Sequence, residues 1–150
     1  MTVRKIRALA SGVLLLVSAE ACLAEDRRNE TFDATWDTLG QNAEKELAAL
    51  PKDGRRAYQK ALIACSLYAD EYSNDKYGAE CRRATTFFSV EFASASSSIS
   101  SLLKLARSLT AVYESNIKME YQQGRRPDLT AGNPATIYID FLKKAYRDTR

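Results

Sequence analysis

Cys65 and Cys81 are the side chains of this sequence whose type and spacing best suit covalent chemistry, and fifteen residues separate them. A redox-active pair is usually spaced by two residues, and a thiolate metal site needs further ligands. Neither condition is met, so a structural disulfide is the expected role. There is no histidine in the chain, which removes Ser-His-Asp and Cys-His nucleophile pairs and histidine-containing zinc sites. No metal and no cofactor is expected. Carboxylates, lysine or tyrosine would have to carry any catalysis, and no convergent catalytic motif is present, so the chain reads as a non-enzyme.

Other candidates are contact residues. Gly124-Arg125-Arg126-Pro127-Asp128-Leu129-Thr130-Ala131-Gly132-Asn133 is long for a connection in a helical protein, and loops of that sort are often functional. Arg125 and Arg126, beside Pro127, could grip a carboxylate or an acidic cleft, and Asp128 is a further candidate contact of the loop; a solvated linker is the plainer alternative. Tyr72, Tyr77 and Tyr121 fall near expected helix ends, where tyrosine can anchor a partner or simply pack at an edge. Glu114-Ser115 resembles the Glu-Ser pair of lytic transglycosylases. The Gly-Leu-Met-Gln segment that follows in that family is replaced by Asn116-Ile117-Lys118-Met119. Glu114 falls on the polar side of its helix and is expected to be solvated surface.

Where these groups work is set by residues 1–24. Arg4, Lys5 and Arg7 precede an apolar run from Ala8 to Ala19, and Cys22-Leu23-Ala24 supplies small residues beyond it. That order is a secretory signal peptide, and the run is short of the roughly 20 residues of a membrane-spanning helix. Cleavage after Ala24 leaves a mature chain of residues 25–150, expected as a single helical domain in the periplasm or secreted medium, with no membrane span. Cutting after Ala21 instead would leave Cys22 as the first residue, but Ala19 and Glu20 make a poor lipobox. Cleavage after Ala24 removes Cys22 and leaves an even pair of cysteines in an oxidising space. The leader also carries three of the 22 basic and one of the 19 acidic groups, leaving 19 against 18. A near-neutral exported chain gives no reason to expect nucleic acid.

Helical periodicity positions the candidates. Phe32, Trp36, Leu39, Ala43, Leu47 and Leu50 recur at spacings of three and four, with Glu30, Asp33 and Asp37 at the start and Pro51 as the stop. Asp53 is the expected N-cap of a second helix, from Gly54 to about Tyr72, whose stripe includes Tyr58, Leu62, Cys65 and Tyr68. Ser73-Asn74-Asp75 reads as a turn. A further stripe runs in phase from Tyr77 to Tyr121, which as one helix would be about 70 Å long. The serines between Ser94 and Ser101 are the expected break, with one of them capping a new helix. Asn133-Pro134 opens the last helix, with Ile137, Tyr138, Phe141, Leu142, Ala145 and Tyr146 on its buried face.

The fold class expected is therefore all-α, a bundle of four to five helices with one intra-hairpin disulfide. Residues equidistant from the turn of an antiparallel pair face each other, and Ser73 is the midpoint of Cys65 and Cys81. Turn composition and cysteine spacing thus agree independently.

Arg56-Ala57-Tyr58 ahead of Cys65, and Ala79-Glu80-Cys81 opening the next helix, resemble the LprI family of small exported helical proteins, some of which inhibit lysozyme. The family's usual aromatic is tryptophan, and residues 99–150 lie outside the match. The resemblance implies an interaction module and transfers no inhibitory residue. Export, helices and a disulfide are also similar to what periplasmic immunity proteins combine. The expected function is an exported protein-binding module, of inhibitor or immunity type, whose partner is another envelope or secreted protein. The alternatives are a carboxylate-dependent peptidoglycan hydrolase and a structural protein of the envelope.

Overall fold

A computed structural model describes residues 37–149. The leader, its cleavage site, Glu30, Phe32, Asp33 and Trp36 lie outside the described residues. Five α-helices and no strand are found among those described: α1 (residues 37–49), α2 (Lys52–Asp70), α3 (Asp75–Glu91), α4 (Ser97–Gln122) and α5 (Ala135–Asp148). Contacts gather Leu39–Arg150 into one compact unit, and the packing below is that unit's.

Helix α1 buries Ala43 and Leu47, and Leu50 is buried just beyond its end, at the spacing the sequence predicts. Pro51 ends it and occupies the N-cap position of α2, with φ −64° and ψ 162°. The ring fixes the extended conformation needed between two helices, so α2 starts at Lys52 and Asp53 lies inside its first turn. Asp53 is therefore not the N-cap. Its carboxylate sits at the positive helix end, 3.9 Å from Arg56 on the exposed surface.

Asn74 caps α3, its side chain accepting from the Lys76 N–H at 3.1 Å. The hairpin formed by α2 and α3 is closed by the Cys65–Cys81 disulfide, with Cα atoms 4.6 Å apart. Both cysteines are buried, and Tyr68, Tyr72 and Tyr77 pack against them. Beside them the Thr85 hydroxyl donates to the Cys81 carbonyl at 2.6 Å, so a buried polar group is satisfied within its own helix.

Residues 76–122 are two helices. The connection is 92–96, upstream of most of the serine run, and Ser97 to Ser101 are already helical. Ser96 holds the N-cap position but makes no capping bond; its hydroxyl donates back to the Phe92 carbonyl at 2.5 Å. Glu46 of α1 caps α4 instead, accepting from the N–H groups of Ser98 and Ile99 at 3.0 Å each.

The chain then runs up and down. Phe92 lies against Gly54, bringing the end of α3 to the start of α2. Helix α4 climbs beside them, and α5 returns, with Tyr58 donating to the Leu142 carbonyl at 3.0 Å and Arg55 to the Thr149 carbonyl at 3.2 Å. Tyr58, Phe88, Ile99, Leu102, Leu103, Ile139 and Leu142 form the core between them. Tyr58 sits 5.8 Å from Phe88 and 5.5 Å from Tyr146, ring centre to ring centre. On α5 the buried positions are Ala135, Ile139, Leu142 and Ala145. Ile137, expected on that face, is 69% exposed, because it falls about 160° from Ile139 around the helix. No helix among the described residues is long and apolar enough to cross a membrane.

Candidate interaction surface

One end of the bundle collects most of the side chains singled out from the sequence. At 26 residues α4 is about 39 Å long, against about 28 Å for the 19 residues of α2. Its last turns therefore extend past the turn joining α2 to α3. Gly124, with φ 72°, stops α4 in the left-handed region that costs glycine least. Gly132, with φ 69°, turns the chain back toward α5.

Asn133 ties this loop to the bundle. Its side-chain amide donates to the Ala69 carbonyl at 3.1 Å and to the Thr110 hydroxyl at 3.2 Å. Its oxygen accepts from the Ala135 N–H at 3.0 Å, so it also caps α5 from just outside. The loop's base is fixed by one residue reaching α2, α4 and α5.

Within this end, Tyr72 of the α2–α3 turn stands edge-on to Tyr113 of α4, with ring centres 5.0 Å apart. Burial raises the Tyr72 phenol above its ordinary pKa, and the neighbouring phenols of Tyr113 and Tyr121 push the same way. Tyr77 lies against the disulfide. Tyr121 is 60% exposed, and Met119 and Leu129 are also large apolar side chains left in solvent.

Arg125 is held by Glu120 through two hydrogen bonds of 2.7 and 2.9 Å and also meets Gln123. This contact raises the Arg125 pKa and lowers that of Glu120. Asp128 accepts from both the N–H and the hydroxyl of Thr130, which holds its carboxyl below the usual range. Arg126 is exposed. Thus Arg125 and Asp128 shape the loop itself, while Arg126 and Tyr121 are presented outward.

Glu114 differs from expectation. Its side chain is only 15% exposed, not solvated. Tyr68 donates to one carboxylate oxygen at 3.0 Å, and Lys118 to the other at 2.5 Å. The Lys118 spacing of four was readable in the sequence; the approach of Tyr68 from α2 was not. Among the described residues no group of three or more His, Cys, Asp or Glu could hold a metal.

No protein-family model, curated protein or solved structure matches this chain.

Proposed function

We propose that the mature chain, residues 25–150, is an exported module that binds another envelope or secreted protein through the loop end of the bundle. An inhibitor or immunity protein acting on a cell-wall hydrolase or toxin fits that role, in keeping with the resemblance to LprI-like proteins. The observation that carries this reading is the group of Tyr72, Tyr113 and Tyr121 at the loop end, with Tyr121 60% exposed. Tyrosine, methionine and arginine are the types enriched at protein interfaces. A disulfide and the Asn133 bonds hold their backbone in place before any partner arrives, which reduces the ordering cost of association.

The hydrolase alternative has one observation in its favour: Asp75 and Glu114 line the same cleft. Against it, both oxygens of Glu114 are already engaged by Tyr68 and Lys118. A glycosidase acid must be able to hand a proton to the leaving group.

Photo-crosslinking tests the proposal. A benzoylphenylalanine replacing Tyr121 in the producing cell should give one discrete protein adduct, and the same probe at Lys104, exposed on the lower part of α4, should not. The purified partner should bind the oxidised chain at micromolar or tighter affinity. Adducts at Lys104 but none at Tyr121 or Leu129 would overturn the reading. So would clearing of peptidoglycan by the chain alone that Glu114→Gln abolishes.

A further inference from the structure

Between α3 and α4 lies a second candidate site, a cleft of about 460 Å³ whose lining includes Asp75 and Arg82 of α3, Arg107 and Glu114 of α4, and Tyr68 of α2. The two helices are antiparallel, joined by the 92–96 connection. Arg82 and Arg107 are 12 and 13 residues from Ser94 at the middle of that connection, and Asp75 and Glu114 are 19 and 20 from it. The cleft therefore has two guanidiniums at one level and two carboxylates at another.

Seven residues separate the levels on each helix, a rise of about 10 Å. Between them the walls are Gly78, Ala79, Ser108 and Ala111, too small to fill the space. A Cβ on Gly78 would come within 3.2 Å of the Tyr68 ring, so the floor is already in close contact.

The charges at the two levels are not equivalent. Glu114 is neutralised by Lys118 at 2.5 Å. Among the described residues no carboxylate lies within ion-pair distance of Arg82 or Arg107, and no lysine or arginine within that distance of Asp75, which interacts with Lys118 only at longer range; the pairs formed are Arg56–Asp53, Lys118–Glu114 and Arg125–Glu120. Arg82 and Arg107 line one cleft without an ion-pair partner, and an anion bound there would supply one to both. The Tyr68 hydroxyl donates to Glu114 at 3.0 Å and so lies at the carboxylate level, and burial first, then Glu114, push its phenol up to about 12.

We propose that this cleft binds a short peptide with both termini ionised, its carboxylate on Arg82 and Arg107 and its ammonium against Asp75. An extended chain covers at most 3.3–3.6 Å per residue, so about three residues bridge the roughly 10 Å between the levels. Small walls admit side chains without selecting among them. The inference does not depend on the protein-binding reading, since it uses the side of the bundle and not its loop end.

Calorimetric titration of the oxidised 25–150 chain with tri-alanine tests it, with the amidated and the N-acetylated peptides as comparisons. The free peptide should bind at millimolar affinity or tighter. Amidation of its carboxylate, or Arg82→Gln or Arg107→Gln in the protein, should weaken binding by about tenfold, as expected for losing one charge-assisted contact. Acetylation of its amine and Asp75→Asn should do likewise. Both arginines and Asp75 are on the helix surface, and circular dichroism should show each variant folded. Absence of binding at about 10 mM peptide would overturn the proposal. Binding indifferent to amidation or to the arginine substitutions would do the same, and equal binding of the acetylated peptide would refute the two-ended site.

Discussion

Glu46 of α1 reaches Ile99 of α4 across more than fifty residues of sequence, its carboxylate oxygens taking the N–H groups of Ser98 and Ile99 at 3.0 Å each. Two otherwise orphaned donors at the start of the longest helix are satisfied by one charged group, which also suits the positive end of the helix dipole. Glu46→Ala should lower unfolding stability by about 1–2 kcal/mol, the range for losing a good N-cap. Urea unfolding measures this, and Ser96→Ala should cost less because Ser96 makes no capping bond.

Asn133 should be more sensitive than its place in a loop suggests. Asn133→Ala removes three hydrogen bonds, to Ala69, Thr110 and Ala135, at roughly 1 kcal/mol each before relaxation. Hydrogen exchange should accelerate across 123–136 while α2 and α3 keep their protection.

Tyr121→Ala should leave stability within about 0.5 kcal/mol, as for most exposed positions, yet weaken the crosslinked partner's binding at least tenfold if Tyr121 is a hot spot. Thermal unfolding and a titration on the same preparation separate the two effects.

Alkaline pH should unfold the protein through its buried phenols. Burial raises the Tyr58 pKa, with Tyr146 adding to it, and raises Tyr68 to about 12. A phenol whose folded pKa exceeds its unfolded value of about 10 contributes fully below that pH. The contribution is lost as pH rises above about 10, where the unfolded chain ionises first. The urea midpoint of the wild type should therefore fall beyond about pH 10, and that of Tyr58→Phe should fall less steeply. Near neutral pH the same variant should be weaker by about 1 kcal/mol, for its lost bond to the Leu142 carbonyl.

Local pattern made much of this fold legible. The stripes from Ala43 to Leu50, on α2 and α3, and on α4 as far as Ile117, the turn at Asn74 and the cysteine spacing are short-range properties, and these appear where periodicity or composition puts them, while Tyr121 at the end of the α4 stripe is exposed. The points missed depend on partners far along the chain. Nothing near Ser96 announces that Glu46 will cap α4, and the serine run led to the expectation of a cap from within. The polar helix face of Glu114 predicts solvent, and no local pattern contains Tyr68 arriving from α2. Ile137 is exposed although the sequence places it on the buried face, because the stripe of a short helix is ambiguous by one residue where its start is not fixed. The tyrosines and arginines of the loop end were readable as candidates by type alone. Their gathering at one end follows from α4 outrunning α2, a difference in length that the serine break concealed.

The proposed function rests on export of the chain and on a bundle pinned between α2 and α3. Closing a loop of this length contributes about 3 kcal/mol in the chain-entropy account, a large share of a typical domain's stability. Intact-mass and peptide analysis of the chain recovered from the producing cell addresses that directly. The account predicts a product beginning at Glu25, lighter than its reduced form by two hydrogens, with one bridged peptide joining Cys65 to Cys81. Two thiols open to alkylation without prior reduction, or a chain retaining residues 1–24, would contradict it.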